Sequence, residues 1–179
     1  MKNLVIVFIA FLMIASTTTI VRAQVTIPSS ATAKIVAALT LTNTQKLDFG
    51  TMSIPTGDVS VIYPTTSTRT ATVPANIVLI STEIGNAAHF AVTGAALYHY
   101  KITLPLDNLI KLKIGATTTE MSIDTFTSRT TSVPGNDGIN GILSSSGTDD
   151  FTVGATLKLL NAQQPGVYDG SFNVMVTYD

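Results

Sequence analysis

Apolar and polar residues alternate along most of the chain after residue 30, and this pattern is the main structural signal in the sequence. Apolar side chains recur at odd positions over residues 31–41 and 151–159, and at even positions over residues 172–178. Because neighbouring side chains of a β-strand point to opposite faces, a period of two predicts half-buried strands. Further short strands are predicted at residues 47–49, 59–63, 77–80, 90–92, 98–104, 110–114 and 121–123.

Gly and Pro residues separate these segments, and no stretch has the period of a helix of ordinary length. The solidly apolar residues 77–80 indicate a strand that is buried on both faces or covered by a loop. Residues 133–150 are rich in Gly, Ser, Asn and Asp and are interpreted as one extended loop. The fold class predicted is therefore all-β, a single antiparallel sandwich or barrel over residues 31–179.

The first 23 residues have the pattern of a secretory signal peptide. Lys2 precedes an apolar run over residues 4–14, and a polar stretch leads to Ala23 at the expected cleavage point. The run is too short for a membrane-spanning helix, which needs about 20 residues, although an uncleaved anchor is the alternative interpretation. We expect an exported chain that begins at Gln24 and has no membrane span, with residues 24–30 as an N-terminal extension.

Composition excludes several kinds of chemistry. Charged residues make up 12% of the chain and the formal net charge is −1, so no basic surface for nucleic acid is expected. The chain has no Cys and only two His, His89 and His99, which we interpret as sheet residues rather than as metal ligands or catalytic bases. We expect no enzyme activity, no catalytic or metal-binding residues and no cofactor.

Three weaker candidates for binding were considered. Residues 136–141 (Asn-Asp-Gly-Ile-Asn-Gly) resemble a calcium loop only faintly, and a solvated turn is the preferred interpretation, although Asp124, Asp149 and Asp150 could complete a weak calcium site. Lys101, Lys111 and Lys113 could form a basic stripe but are typical of the wet face of strands. Tyr98 and Tyr100 share the phase of Ile102 and are expected in the core, with a sugar-stacking platform as the alternative.

Two end segments carry a family resemblance. Residues 31–42 (Ala-Thr-Ala-Lys-Ile-Val-Ala-Ala-Leu-Thr-Leu-Thr) are followed by Leu47-Asp48-Phe49-Gly50, and residues 151–157 (Phe-Thr-Val-Gly-Ala-Thr-Leu) precede Gly166-Val-Tyr-Asp-Gly-Ser-Phe172. The chain resembles the bacterial exported family known as domain of unknown function 4402, which is similar in pattern to pilin subunits of chaperone–usher fimbriae, including the spore-coat-U type. That resemblance implies an immunoglobulin-like sandwich whose last strand is supplied by the N-terminal extension of a neighbouring subunit.

The same residues suggest which segments would exchange. The sequence ends one residue after Tyr178, so we expect the strand carrying Phe172, Val174, Val176 and Tyr178 to lie beside an acceptor groove. Val25 and Ile27 are the candidate donor residues, because they keep the odd phase of residues 31–41, although Pro28 lacks one ladder donor. Alternatively, residues 24–30 only begin the first strand, or residues 31–41 cross between sheets and close the sandwich in a monomer.

The sequence therefore favours an exported, non-enzymatic structural subunit, similar to a fimbrial or pilin-like surface protein, that assembles by β-strand complementation. Its expected partners are other copies of itself or related subunits, and a periplasmic chaperone. The alternative is a monomeric secreted immunoglobulin-like module that binds a glycan or a protein through its loops.

Overall fold

A computed structural model describes residues 22–66 and 68–179. The chain divides into two compact units, residues 1–34 and residues 35–179. Within the first unit, the described residues 22–34 form neither helix nor strand. The second unit contains ten strands and one short 3₁₀ turn at Pro74–Asn76. The strands are β1 (Thr40–Gln45), β2 (Val59–Tyr63), β3 (Thr70–Ala71), β4 (Ala88–Thr93), β5 (His99–Thr103), β6 (Ile110–Lys113), β7 (Glu120–Thr130), β8 (Asn140–Ile142), β9 (Thr148–Leu159) and β10 (Met175–Tyr178).

The larger sheet has seven strands and is organised around β9. Along one edge, β9 pairs first with β4 and then with β2, and along its other edge it pairs with β7; all of these pairings are antiparallel. β1 extends the sheet beyond β4, β3 beyond β2, and β6 beyond β7. Gly154 lies where β9 changes partner, and a Cβ there would collide with the carbonyl oxygen of Tyr63.

The smaller sheet has three antiparallel strands in the order β10-β5-β8. Its Tyr100 and Ile102 are fully buried and pack with Phe90, Phe151 and Val153 of the larger sheet. A second cluster of buried side chains gathers around Val61, Ile123 and Leu157 of the larger sheet. The prediction of an all-β, antiparallel sandwich is confirmed.

Several predicted strands agree closely with the structure. The alternating segments at residues 59–63, 110–114 and 151–159 are β2, β6 and the greater part of β9. Tyr100 is completely buried, as its phase predicts, whereas Tyr98 is half-buried and packs edge-on against Tyr178.

The prediction of a first strand over residues 31–41 is wrong in its position. The strand begins at Thr40, and residues 22–39 form no ladder within the part of the chain that the structure describes. Ile35, in the middle of the predicted strand, is 96% exposed. The alternation there is real, but a β-strand also needs a backbone partner, and these residues have none in the described ladders.

Three other expectations need correction. Residues 77–80 form only an isolated bridge at Leu79, and Val78 is 63% exposed, so they are not a strand buried on both faces. Residues 47–49 likewise form only a bridge, between Asp48 and Asn86. Residues 133–150 are not one loop, because β8 pairs with β5 and β9 already begins at Thr148.

Candidate functional site: a groove and two unpaired strand edges

A groove of about 920 Å³ opens in the larger unit, and polar and apolar groups line it in similar amounts. Its apolar lining includes side chains from β6, β7 and β9, namely Ile110, Leu112, Met121, Ile123, Leu157 and Leu159. Each of its two rims is a run of ten consecutive residues, 46–55 on one side and 163–172 on the other. A concave surface with apolar side chains and long rims can accept a complementary chain segment, since burial of apolar side chains is favourable.

The rim at residues 46–55 is irregular but is held by backbone hydrogen bonds. The N–H groups of Asp48 and Asn86 each donate to the other's carbonyl at 2.8 Å. Gly50 has a positive φ of 68°, and a Cβ at that position would collide with the carbonyl oxygen of Glu83. This close approach explains the Leu-x-Phe-Gly sequence, because only glycine fits this backbone position without strain.

The Arg69 side chain also stabilises the rim at residues 46–55 through hydrogen bonds. Arg69 is only 6% exposed, and its guanidinium donates to the carbonyl oxygens of Phe49, Thr51 (2.7 Å), Ile80 (2.7 Å) and Glu83 (3.0 Å). Burial lowers the pKa of Arg69, and nearby Tyr63, Asp48 and Glu83 oppose that shift. No pattern in the sequence indicated this role, because Arg69 stands in a Thr-rich segment far from the residues that it joins.

The rim at residues 163–172 is attached to β6. Asp169 and Lys113 exchange two backbone hydrogen bonds of 2.9 Å, and a Cβ on Gly170 would lie 2.6 Å from the carbonyl oxygen of Lys111. The Tyr168 hydroxyl donates to the Gln164 carbonyl at 2.7 Å and accepts from Gln163 Nε2 at 2.8 Å. Tyr168 and Gly170 thus allow this segment to lie close along β6.

The predicted acceptor residues continue from this rim. Phe172 lines the groove and packs against Phe126, with 5.0 Å between the ring centroids. Val174, Val176 and Tyr178 share its face and pack on the buried cluster around Tyr100, yet all four side chains are only half-buried.

Several strands at the ends of the sheets have one edge without a ladder partner among the described residues, and β1 and β10 are two of them. β10 pairs with β5 along one edge, and β1 pairs with β4 along one edge; the opposite edge of each carries no strand in the described ladders. Leu39 and Leu41 at the start of β1 pack on the same cluster as Val176. Unpaired N–H and C=O groups at such edges are able to bond an added strand.

The predicted donor residues lie outside the ladders. Val25 is 82% exposed and Ile27 is 84% exposed, and neither belongs to a strand. The exposed segment is longer than the sequence suggested, because it continues through Ile35 rather than ending at Ser30.

The acidic residues considered for calcium have other partners. Asp137 pairs with Arg129 at 3.0 Å and accepts a hydrogen bond from Thr65 Oγ1 at 2.6 Å. Asp149 accepts hydrogen bonds from the hydroxyls of Tyr100 (2.8 Å) and Ser132. Among the described residues, no three His, Asp or Glu side chains lie close enough together to hold a metal ion.

The buried Asp124 carboxylate on β7 forms an ion pair with Lys158 on β9, whose side chain is partly exposed. Burial by itself would raise the pKa of Asp124, but the Lys158 ammonium and the N–H of Asn108 outweigh it and hold that pKa below its usual range. This pair stabilises the sheet beneath the groove and was not foreseen, because only the register of β7 on β9 brings the two residues together.

The two histidines, and Lys111 and Lys113, occupy ordinary positions on the strands. His89 is half-buried on β4, with its Nδ1 3.0 Å from Thr44 Oγ1, and His99 is exposed on β5. Lys111 and Lys113 both pair with Glu120 on the neighbouring strand, at 3.6 Å and 3.8 Å.

The fold is an all-β sandwich in which β1 and β10 each have one unpaired edge, and it has a groove lined by the larger sheet and by residues 46–55 and 163–172. The sequence model of the family described as "Domain of unknown function (DUF4402)" matches residues 39–178, and the chain belongs to that family. Neither the comparison with curated proteins nor that with solved structures found a match. The residues that the structure describes include no helix long and apolar enough to cross a membrane.

Proposed function

We propose that the chain is an exported, non-enzymatic structural subunit, similar to a pilin, that assembles with other copies by β-strand complementation. The observation that carries this proposal is the pair of unpaired edges on β1 and β10, whose side chains Leu41 and Val176 pack on the same core cluster. The predicted signal peptide supports export to the periplasm or the cell surface; it falls on residues 1–23, nearly all of which lie outside the described residues.

A strand laid along the unpaired edge of β10 would satisfy two needs of the domain. Its backbone would bond that edge, and its side chains would cover the half-buried Val174 and Val176 and extend toward Phe172. Each Val or Ile side chain transferred from water would contribute roughly 1.5–3 kcal/mol. Each ladder hydrogen bond would add about 1 kcal/mol net.

The N-terminal segment has the properties of the donor. Val25, Ile27 and Ile35 share one phase and are all more than 80% exposed, so their burial in another copy would gain the full transfer free energy. Pro28 belongs to the opposite phase and removes a single ladder donor. The length of the exposed segment leaves residues on either side of the donor to connect one copy to the next.

A partner is also required before assembly. An unpaired strand edge with half-buried apolar side chains is a template for aggregation, so a chaperone that lends a strand to the same edge is expected in the periplasm. The chaperone and the neighbouring copy would then compete for one site.

The full chain tests the proposal when it is expressed in a bacterium with its own N-terminus and run unboiled on a denaturing gel. Copies joined by strands should give a ladder that boiling collapses. Ile27→Asp should abolish the ladder, because a carboxylate would be buried against the apolar side chains beside the edge of β10. Thr26→Asp is the matched control: it adds the same charge one residue away, on the opposite face, and should leave the ladder in place. Equal ladders from both variants, or a lone monomer from the wild type, would contradict the proposal.

A monomeric binding module is the second candidate, and one loop favours it. Leu106 and Leu109 are 73% and 67% exposed in the loop between β5 and β6. Two hydrogen bonds of 2.6 Å hold this loop: the Thr125 N–H donates to the Asp107 carboxylate, and the Asn108 N–H donates to the Asp124 carboxylate. A rigid loop that presents two leucines suits a protein partner, and a wild type that stays a monomer on the unboiled gel would favour this candidate.

A further inference from the structure

The Tyr178 hydroxyl joins three parts of the larger unit. It donates to the carbonyl oxygen of Ala37 at 2.7 Å and accepts from the N–H of Ala95 at 2.7 Å. Gly94 makes room for this contact, since a Cβ there would lie 2.5 Å from the Tyr178 hydroxyl and 2.9 Å from Leu39 Cδ2. The hydroxyl therefore has both of its ordinary partners and a surrounding that fits it closely.

Ala37 is the point at which the exposed N-terminal segment meets the sandwich. It stands three residues before β1, and the described residues on its N-terminal side form no strand. The outer edge of β1 has no ladder partner among the described residues, so residues 24–36 could fold back on it as a hairpin. Such a hairpin needs a turn of two to five residues, which would fall at or beside Ala37.

We propose that Tyr178 is a positioning residue that holds Ala37 in place, so that the N-terminal segment is given to another copy instead of folding back on its own β1. This inference rests on the proposed function and adds to it the reason why the segment acts between copies. A hairpin turn would have to break the bond to the Ala37 carbonyl, whereas donation to a second copy leaves it intact.

The test is Tyr178→Phe in the full chain, which removes the hydroxyl and keeps the ring against Tyr98. Tyr100→Phe is the matched control, because its hydroxyl also makes a buried hydrogen bond, to Asp149, but touches neither Ala37 nor the groove. The readouts are the ratio of boiling-sensitive oligomer to folded monomer on unboiled gels and the proteolysis of residues 24–36 within the monomer. The second readout would not respond to a merely structural role.

Tyr178→Phe should lower the oligomer-to-monomer ratio about five-fold, the equivalent of one net hydrogen bond, and should protect residues 24–36 from protease. Tyr100→Phe should change the ratio by less than about two-fold and leave those residues cleavable. An unchanged ratio, or equal effects of the two variants, would overturn the role of Tyr178. If the wild type forms no oligomer, the proposed function fails, and the proteolysis of residues 24–36 then tests the role of Tyr178 by itself. Protection found only in Tyr178→Phe would support that role, and equal cleavage of all three proteins would refute it.

Discussion

Replacement of Arg69 by Met measures how strongly one buried guanidinium holds the groove rim. The substitution keeps much of the aliphatic stem and removes four hydrogen bonds to backbone carbonyls. At about 1 kcal/mol net for each bond, the loss would be about 4 kcal/mol. Three of these carbonyls, those of Thr51, Ile80 and Glu83, keep a backbone N–H partner, so no large extra cost for unpaired groups is added.

The buried charge has a cost of its own, which the substitution removes. Burial lowers the pKa of Arg69, and this shift means that the folded environment disfavours the charged form. We therefore expect the free energy of unfolding to fall by about 3 kcal/mol, a large part of the 5–15 kcal/mol typical of a domain. The variant should still fold, because the two core clusters are unchanged.

Urea unfolding of Arg69→Met in the Ile27→Asp background gives the measurement, since that background is expected to remain a monomer. Circular dichroism is the suitable signal because the chain has no Trp. Arg129→Met is the control: Arg129 has a single, partly exposed ion pair with Asp137, and its loss should cost less than about 1 kcal/mol. Equal losses for the two variants, or a loss below about 1 kcal/mol for Arg69→Met, would refute the reasoning.

Three further predictions concern the buried polar groups. Asp124→Asn should lower the free energy of unfolding by about 2 kcal/mol at pH 7 in denaturant titrations. Because the folded state lowers the pKa of Asp124, this contribution is present above the unfolded pKa of about 3.9 and disappears as the pH falls through the folded pKa. Wild type and variant should therefore have the same stability in strong acid, and a difference that stays constant with pH would contradict the assignment. Burial and the Asp149 carboxylate raise the pKa of Tyr100. In an absorbance titration, one of the five tyrosines should therefore ionise only when the protein unfolds in alkali. A Tyr100→Phe variant that keeps this late step would show that another tyrosine is responsible. Gly141→Ala should destabilise the protein by about 2 kcal/mol in urea unfolding, since the added methyl group would collide with the Tyr100 ring, and an unchanged midpoint would show that the ring can move away.

Alternation predicted the strands well where the neighbouring strands were also regular. The segment at residues 59–63 agrees with β2 at both ends, because Pro64 closes it and β9 supplies a partner of the same phase. The same rule failed at residues 31–39, since alternation reports which way side chains point and not whether a backbone partner exists. β8 was missed for the opposite reason: Asn140-Gly141-Ile142 has no alternation, yet it pairs with β5.

Half of the candidate site could be found from the sequence. The phase of Phe172, Val174, Val176 and Tyr178 indicated one apolar face, and the structure gives that face half-buried side chains and an unpaired edge on β10. The other rim could not be found, because it is built by residues 46–55, Arg69 and the segment around Glu83, which are joined by hydrogen bonds to backbone carbonyls rather than by any side-chain pattern.

The central place of β9 determines when this protein is able to fold. Three strands that are made earlier, β2, β4 and β7, bond to β9 and not to one another, so most of the larger sheet cannot assemble until residue 159 has been synthesised. Contacts between residues so far apart in sequence also make folding slow. A nascent chain released before that residue would carry several unpaired strands at once, which are prone to aggregate. Nonsense or frameshift products that end before β9 should therefore be degraded or insoluble rather than partly active.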